Sequence, residues 1–141
     1  MKTSAQGIGL IKRHEGLRLK AYRCPAGVWT IGFGHTRGVR EGFVITEEEA
    51  GVFLKSDLRD AENIVNVALP CINQNQFDAL VSFVFNVGSG NFLKSTLLKK
   101  AKVNTADAAI RQEFMKWRFA DGKVLSGLEK RRKDEADLYF S

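Results

Sequence analysis

The stretch HEGLRLKAYRCPAGVWTIGFGH, His14 to His35, decides how the rest of the chain is read. Gly16 permits the left-handed stop of a helix, so a helix arriving from the N-terminus ends near Glu15-Gly16. Directly after it, Arg18 to Arg23 and Val28 to Phe33 carry strand formers such as Tyr22, Val28, Trp29 and Ile31, and they flank Pro25-Ala26-Gly27. Two such runs around a short turn predict a β-hairpin. A helix that stops and a hairpin that follows make this an α+β chain.

Upstream, Thr3 or Ser4 can accept a bond from a free backbone N–H, and Ile8, Leu10 and Ile11 carry the first helical pattern. Downstream, the glycine-marked stretch from Gly34 to Gly42 leads to Val44 and Ile45, a candidate third strand. Thr46 with Glu49 forms a capping box. Beyond it Ala50, Phe53, Leu54, Leu58, Ala61, Ile64 and Val65 recur at spacings of three and four, predicting one helix of about five turns or more, long enough to join two lobes. From Asn75 to Val87 apolar residues lie nearly all round, as in a helix buried within a bundle, and Gly88 and Gly90 end it. Shorter helical patterns follow at about Phe92 to Lys102, Thr105 to Arg118 and Leu128 to Phe140, the last two separated by ADGKVLSG. The predicted fold is mostly helical, with a small lobe at about residues 15–45 and a helical lobe at about 68–141 plus the N-terminal helix.

At 141 residues the chain fits one domain, or two small lobes sharing a long helix. Its 44% hydrophobic and 27% charged residues argue against disorder or a fibrous repeat. No apolar run approaches the roughly 18 residues of a membrane span, so stable membrane insertion is not expected. Near the N-terminus only Ile8 to Ile11 is continuously apolar, too short for a secretory core. Export then needs another route, or a natural leader is missing. The net charge of +6 favours anionic partners. The densest basic stretch, EKRRKDEAD, is diluted by Glu129, Asp134, Glu135 and Asp137, which reads as a solvated helix face rather than a nucleic-acid groove.

Cys24 and Cys71 form neither a metal spacing nor a disulfide framework, and Cys71, after Pro70, reads as a small buried side chain. His14 and His35 have no matched partners, so they read as structural, and no metal or cofactor is expected. Glu15, Cys24 and Thr30 follow one another at intervals of nine and six. A hairpin folding back on the helix end can bring them to one wall, but spacing alone also allows a solvated glutamate, a buried thiol and a strand threonine.

These residues and their surroundings resemble the phage-type lysozymes, the muramidase endolysins of glycoside hydrolase family twenty-four. The family motif is Glu, eight residues, Asp or Cys, five residues, Thr, and Glu15, Cys24 and Thr30 match it without a gap. EGLRLKAY and TIGFGH match around it, NQFDALVSFVFNVG (Asn75 to Gly88) resembles the family's central helix, and GLEKRRKDEADLYF (Gly127 to Phe140) resembles its closing helix. The similarity covers essentially the whole chain.

The resemblance implies hydrolysis of the β-1,4 bond between N-acetylmuramic acid and N-acetylglucosamine, in a cleft between a hairpin-bearing lobe and a helical lobe. Breaking that bond requires a proton for the leaving oxygen and stabilisation of an oxocarbenium-like centre. Glu15 is the implied acid, expected to be partly withdrawn from water. Cys24 stands where many relatives carry Asp. A thiol is mostly neutral at pH 7, so it needs a lowered pKa, for which Arg23 is the candidate cause. It then acts as a base through water, with inversion, or attacks the sugar directly, with retention; the former is favoured. Thr30 is implied to orient the attacking water.

On the same resemblance Phe85, Asn86 and Ser95 are substrate-side positions, with core packing the competing reading for Phe85. His35, also placed among the substrate-side residues, is expected to hold the lobe together or border the cleft, and Trp117 to be a core residue. A family arginine often pairs with the glutamate; Arg131 and Arg132 lie near in the motif and neither is assigned. The implied partner is the glycan strand of peptidoglycan and the implied state a monomer. Synthesis is expected in the host bacterial cytoplasm, with action in the periplasm or wall after release; an anionic envelope also suits the positive charge. Competing functions are a lytic transglycosylase, a non-catalytic wall-binding module and a nucleic-acid binder. Some relatives cage such a cysteine in a disulfide, for which Cys71 is the only available partner here.

Overall fold

The computed structural model describes residues 1–141. It divides into two compact units, one formed by Met1–Leu10 with Asp60–Ser141 and the other by Ile11–Arg59.

The smaller unit begins within helix α1 (Ala5–Glu15) and continues through strands β1 (Arg18–Arg23) and β2 (Trp29–Gly32) to helix α2 (Glu47–Asp57). The strands pair antiparallel, with Tyr22 opposite Thr30 and Arg23 opposite Trp29, and the register shifts between Tyr22 and Arg18. The second strand is shorter than its sequence pattern because Gly32 turns to φ +66. At that turn Gly32 lies so close to α2 that an added Cβ would sit 3.3 Å from the Ala50 Cβ. Val44 makes only an isolated bridge to Lys20, so the expected third strand is a single pairing rather than a ladder. Ile11, Ile31, Phe33, Ala50, Leu54 and Leu58 form the buried core of this unit.

The predicted long helix is two helices, α2 and α3 (Arg59–Ala68), divided at Leu58. The division is invisible in the pattern because Leu54, Leu58, Ala61 and Val65 remain in phase across it, and all four are buried. Leu58 even keeps right-handed helical dihedrals, φ −76 and ψ −13.

The larger unit is organised on α4 (Gln74–Val87), entered through a capping box between Asn73 and Gln76. Phe77 to Val84 are buried on every side. Asp78 among them accepts bonds from the Ser4 backbone at 3.0 Å, from Gln74 at 2.7 Å and from the Ser4 hydroxyl, tying the start of α1 to α4. Only glycine fits at position 7, where a Cβ would lie 2.6 Å from the Asp78 carboxyl carbon. Phe83 packs edge-on against Phe92, Phe114 and Trp117, with ring centroids 5.4–6.3 Å apart.

The remaining chain departs from its sequence reading where polar side chains capture backbone donors. The expected helix from Phe92 to Lys102 is α5 (Ser89–Lys94) and α6 (Thr96–Val103), because Ser95 adopts an extended backbone and caps α6. Of the expected helix from Thr105 to Arg118 only α7 (Ile110–Met115) forms, since Asn104 and Asp107 accept bonds from the backbone of Ala106 and Ala109. A second hairpin, β3 (Phe119–Ala120) and β4 (Lys123–Val124), begins one residue before ADGKVLSG and turns at Asp121 and Gly122 with positive φ at both. Helix α8 (Ser126–Tyr139) closes the unit against α4.

Two further expectations are corrected here. Cys71 is exposed, because Pro70 ends α3 and the residue after it lies in the connecting bend. The basic stretch on α8 is not simply solvated: Arg131, Arg132 and Glu135 are buried. They follow the apolar stripes of the helix, with Leu128, Arg132, Glu135 and Tyr139 at spacings of four, three and four.

Candidate active site

Glu15 is the last residue of α1, half-buried, and the helix stops behind it where Gly16 takes φ +72 and its N–H reaches the Lys12 carbonyl at 3.1 Å. The turn after β2 comes to meet its side chain. A Cβ on Gly34 would lie 3.3 Å from the Glu15 Oε2. Lys12, one turn back on α1, places its ammonium over the Phe33 ring at 5.2 Å.

Cys24 opens the β1–β2 turn, its N–H donating to the Val28 carbonyl at 3.0 Å while its carbonyl accepts from Gly27 at 2.8 Å. The half-exposed thiol is held below its ordinary pKa. The main cause is a bond from the Val28 backbone, then one from Ala26; desolvation opposes them, and the Thr30 side chain and the residue's own backbone add to the lowering. Arg23, expected to supply this effect, is not among the causes. Its guanidinium lies 5.0 Å over the Trp29 ring on the opposing strand. Thr30, facing Tyr22 across the hairpin, is buried and donates its hydroxyl to the Val28 carbonyl at 3.0 Å.

The smaller unit therefore brings the Thr30 side chain near enough to Cys24 to help lower the thiol pKa, and sets Glu15 beside the turn that Thr30 leads into. His35 ends that turn. Its Nδ1 is 2.8 Å from the Asp57 Oδ2, its ring stacks on Phe53 at 4.4 Å, and its side chain is only 12% exposed. Neither Asp57 nor Phe53 was singled out as a partner in the sequence, since no local spacing links them to position 35.

In the larger unit Phe85 is half-buried and Asn86 exposed at the C-terminal end of α4. Ser95 is 5% exposed, with its hydroxyl donating to the Phe92 carbonyl at 2.7 Å and accepting from Leu98 at 3.1 Å. Arg131 and Arg132 converge on Glu135: Arg131 Nε lies 3.3 Å from Oε2, Arg132 Nη2 donates to Oε2 at 3.1 Å, and Ser82 donates to the same oxygen at 2.5 Å. Arg132 Nε is 2.7 Å from Oε1, an ion-pair contact without hydrogen-bond alignment. Burial lowers the Arg132 pKa, and Glu135 opposes it. No group of three or more His, Cys, Asp or Glu is arranged to hold a metal ion.

A hairpin unit with a helix-end glutamate and a largely helical second unit make up the lysozyme-like class of fold. The family model described as phage lysozyme matches residues 12–135, and the chain belongs to that family. It is 48% identical to the endolysin of Acyrthosiphon pisum secondary endosymbiont phage 1, an alignment covering all of this chain and 99% of that one. The endolysin of Salmonella phage P22 is 40% identical over all of this chain and 99% of its own length. Among solved structures, the muramidase domain of SpmX from Asticaccaulis excentricus superposes with a TM-score of 0.91 at 38% identity, over 99% of this chain and 98% of that one.

Proposed function

We propose that this chain is a muramidase endolysin that hydrolyses the β-1,4 bond between N-acetylmuramic acid and N-acetylglucosamine in peptidoglycan. The observation that carries the reading is the smaller unit itself, with Glu15 beside the Gly34 turn and a Cys24 thiol whose pKa is lowered chiefly by the Val28 and Ala26 backbone and further by Thr30. Glu15 gives its proton to the glycosidic oxygen as the bond to the anomeric carbon breaks. Water attacks that carbon from the opposite face and loses a proton to the Cys24 thiolate, while the Thr30 oxygen accepts the water's second hydrogen and holds it in line. The products are an inverted reducing end, a Glu15 carboxylate and a Cys24 thiol, and proton return restores the site.

Phe85 and Asn86 are the substrate-side residues with surface to offer a sugar. Ser95 has its hydroxyl, and His35 its Nδ1, engaged within the chain, and both serve the glycan by holding the elements around them. The protein acts as a monomer, without nucleic acid, on walls it reaches after synthesis in the host cytoplasm. No helix is long and apolar enough to cross a membrane. A lytic transglycosylase needs no second group at position 24, so the lowered thiol pKa favours hydrolysis. Mass spectrometry of digested walls tests this: reducing muramic ends support hydrolysis, and anhydro-muramic ends contradict it.

A further inference from the structure

Glu15 is the final helical residue of α1, where no following turn braces a side chain. A proton donor must nevertheless be held accurately, because a misplacement of about 1 Å costs on the order of 10²-fold in rate. Within the smaller unit, one neighbour of its carboxyl is the turn after β2. Gly34 lies beside Oε2: apart from its chain neighbours, an added Cβ there would meet only that oxygen within 4 Å, at 3.3 Å.

Gly34 is in turn fixed from two sides. Ile31 and His35 exchange backbone hydrogen bonds of 2.9 Å in both directions, closing the turn that contains it. That turn is seated on one face of α2, at residues spaced three and four apart: Gly32 packs on Ala50, the His35 ring stacks on Phe53, and His35 Nδ1 meets both carboxylate oxygens of Asp57, at 2.8 and 3.1 Å. Phe33, 5% exposed, presents its ring to Lys12 on α1. Thr30 leads directly into the same turn, so one continuous segment carries the Thr30 hydroxyl at one end and, towards the other, Gly34 beside the Glu15 carboxyl.

We propose that the 32–35 turn, clamped to α2 through His35 and Asp57, is the device that positions the Glu15 carboxyl, with Gly34 and Asp57 as positioning residues. The inference rests on reading Glu15 as the acid. It assigns Asp57 a task beyond stability: released from Asp57, His35 lets Gly34 drift and the carboxyl loses its aim. It also gives glycine at position 34 two reasons to be there, since φ is +87 and the space a side chain needs is taken by Oε2.

The test measures kcat and KM on soluble glycan fragments, with the full chain and four variants. Gly34→Ala is compared with Gly38→Ala, which carries a similar backbone strain (φ +72) but meets no atom within 4 Å. Asp57→Ala is compared with Val65→Ala, a core truncation that lowers the melting temperature without touching the turn. We expect Gly34→Ala and Asp57→Ala to lower kcat about tenfold or more with KM within about twofold, and both comparison variants to keep kcat within about twofold. The Glu15 carboxyl carbon resonance shifts in Gly34→Ala and stays in place in Gly38→Ala, a readout independent of turnover. Glu15→Gln, run alongside, separates the two ideas. If it keeps the parental kcat, the reading of Glu15 as acid falls whatever the turn does. If it is inactive while Gly34→Ala and Asp57→Ala match their comparison variants, the clamp is overturned and the acid stands.

Discussion

Thr30 serves Cys24 across the hairpin turn: its hydroxyl donates to the Val28 carbonyl 3.0 Å away, and its side chain helps to lower the Cys24 thiol pKa. The larger causes of that lowering are the Val28 and Ala26 backbone groups, which favour the anion. The turn around Cys24 thus supplies the donors that the proposed thiolate base requires.

The thiol therefore ionises at lower pH in the folded protein than in the unfolded chain. Alkylation rate against pH, followed in a Cys71→Ser background because Cys71 is also free and exposed, should show a lower midpoint for the folded protein than for the same protein in urea. Thr30→Val should move the folded midpoint upward. A folded midpoint at or above the unfolded one contradicts the stabilised anion.

Substitution at position 24 separates a thiolate base from an idle side chain. Cys24→Asp should retain wall lysis within about tenfold of the parent, since it restores an anion, whereas Cys24→Ser, whose hydroxyl stays protonated, should fall by roughly 10²-fold or more. Equal activity of serine and cysteine removes the thiol from the mechanism.

Glu135 neutralises charge in the interior of the larger unit, facing two buried arginines. Removing it leaves Arg132 buried without the carboxylate it pairs with, so Glu135→Ala should destabilise the fold by about 3–5 kcal/mol. Urea unfolding measures this, and a loss under about 1 kcal/mol contradicts the role.

Tyr139 is buried, donates to the Thr105 carbonyl at 2.8 Å, and has its pKa pushed up to about 12 by desolvation. The folded state therefore holds the phenol proton more tightly than the unfolded chain. Its contribution is complete below the unfolded value of about 10 and is lost as pH rises from there to the folded value, each pH unit of the gap being worth about 1.4 kcal/mol. Tyr139→Phe should flatten that alkaline loss of stability; an unchanged slope between about pH 10 and 12 contradicts it.

The hairpin, the capped start of α2 and the buried α4 were legible because each is written in local periodicity and turn chemistry. The breaks at Leu58 and Ser95 were not. At Leu58 the apolar phase continues through the division, and at Ser95 a hydroxyl turns a helical pattern into a cap. The spacing of Glu15, Cys24 and Thr30 could be read, but not what serves them. The donors to the Cys24 sulfur are mainly backbone groups, and the turn that meets Glu15 is held by Asp57, distant in sequence. Likewise Arg131, Arg132 and Glu135 look solvated by composition, and only their place on the apolar stripes of α8 signals burial.

Wall lysis by Glu15→Gln, with the released ends quantified, tests the central claim most directly. Glutamine keeps the shape and has no acidic proton to give, so release of reducing muramic ends should fall by about 10²–10⁴-fold while the variant stays folded. Lysis at the parental rate by Glu15→Gln contradicts the account.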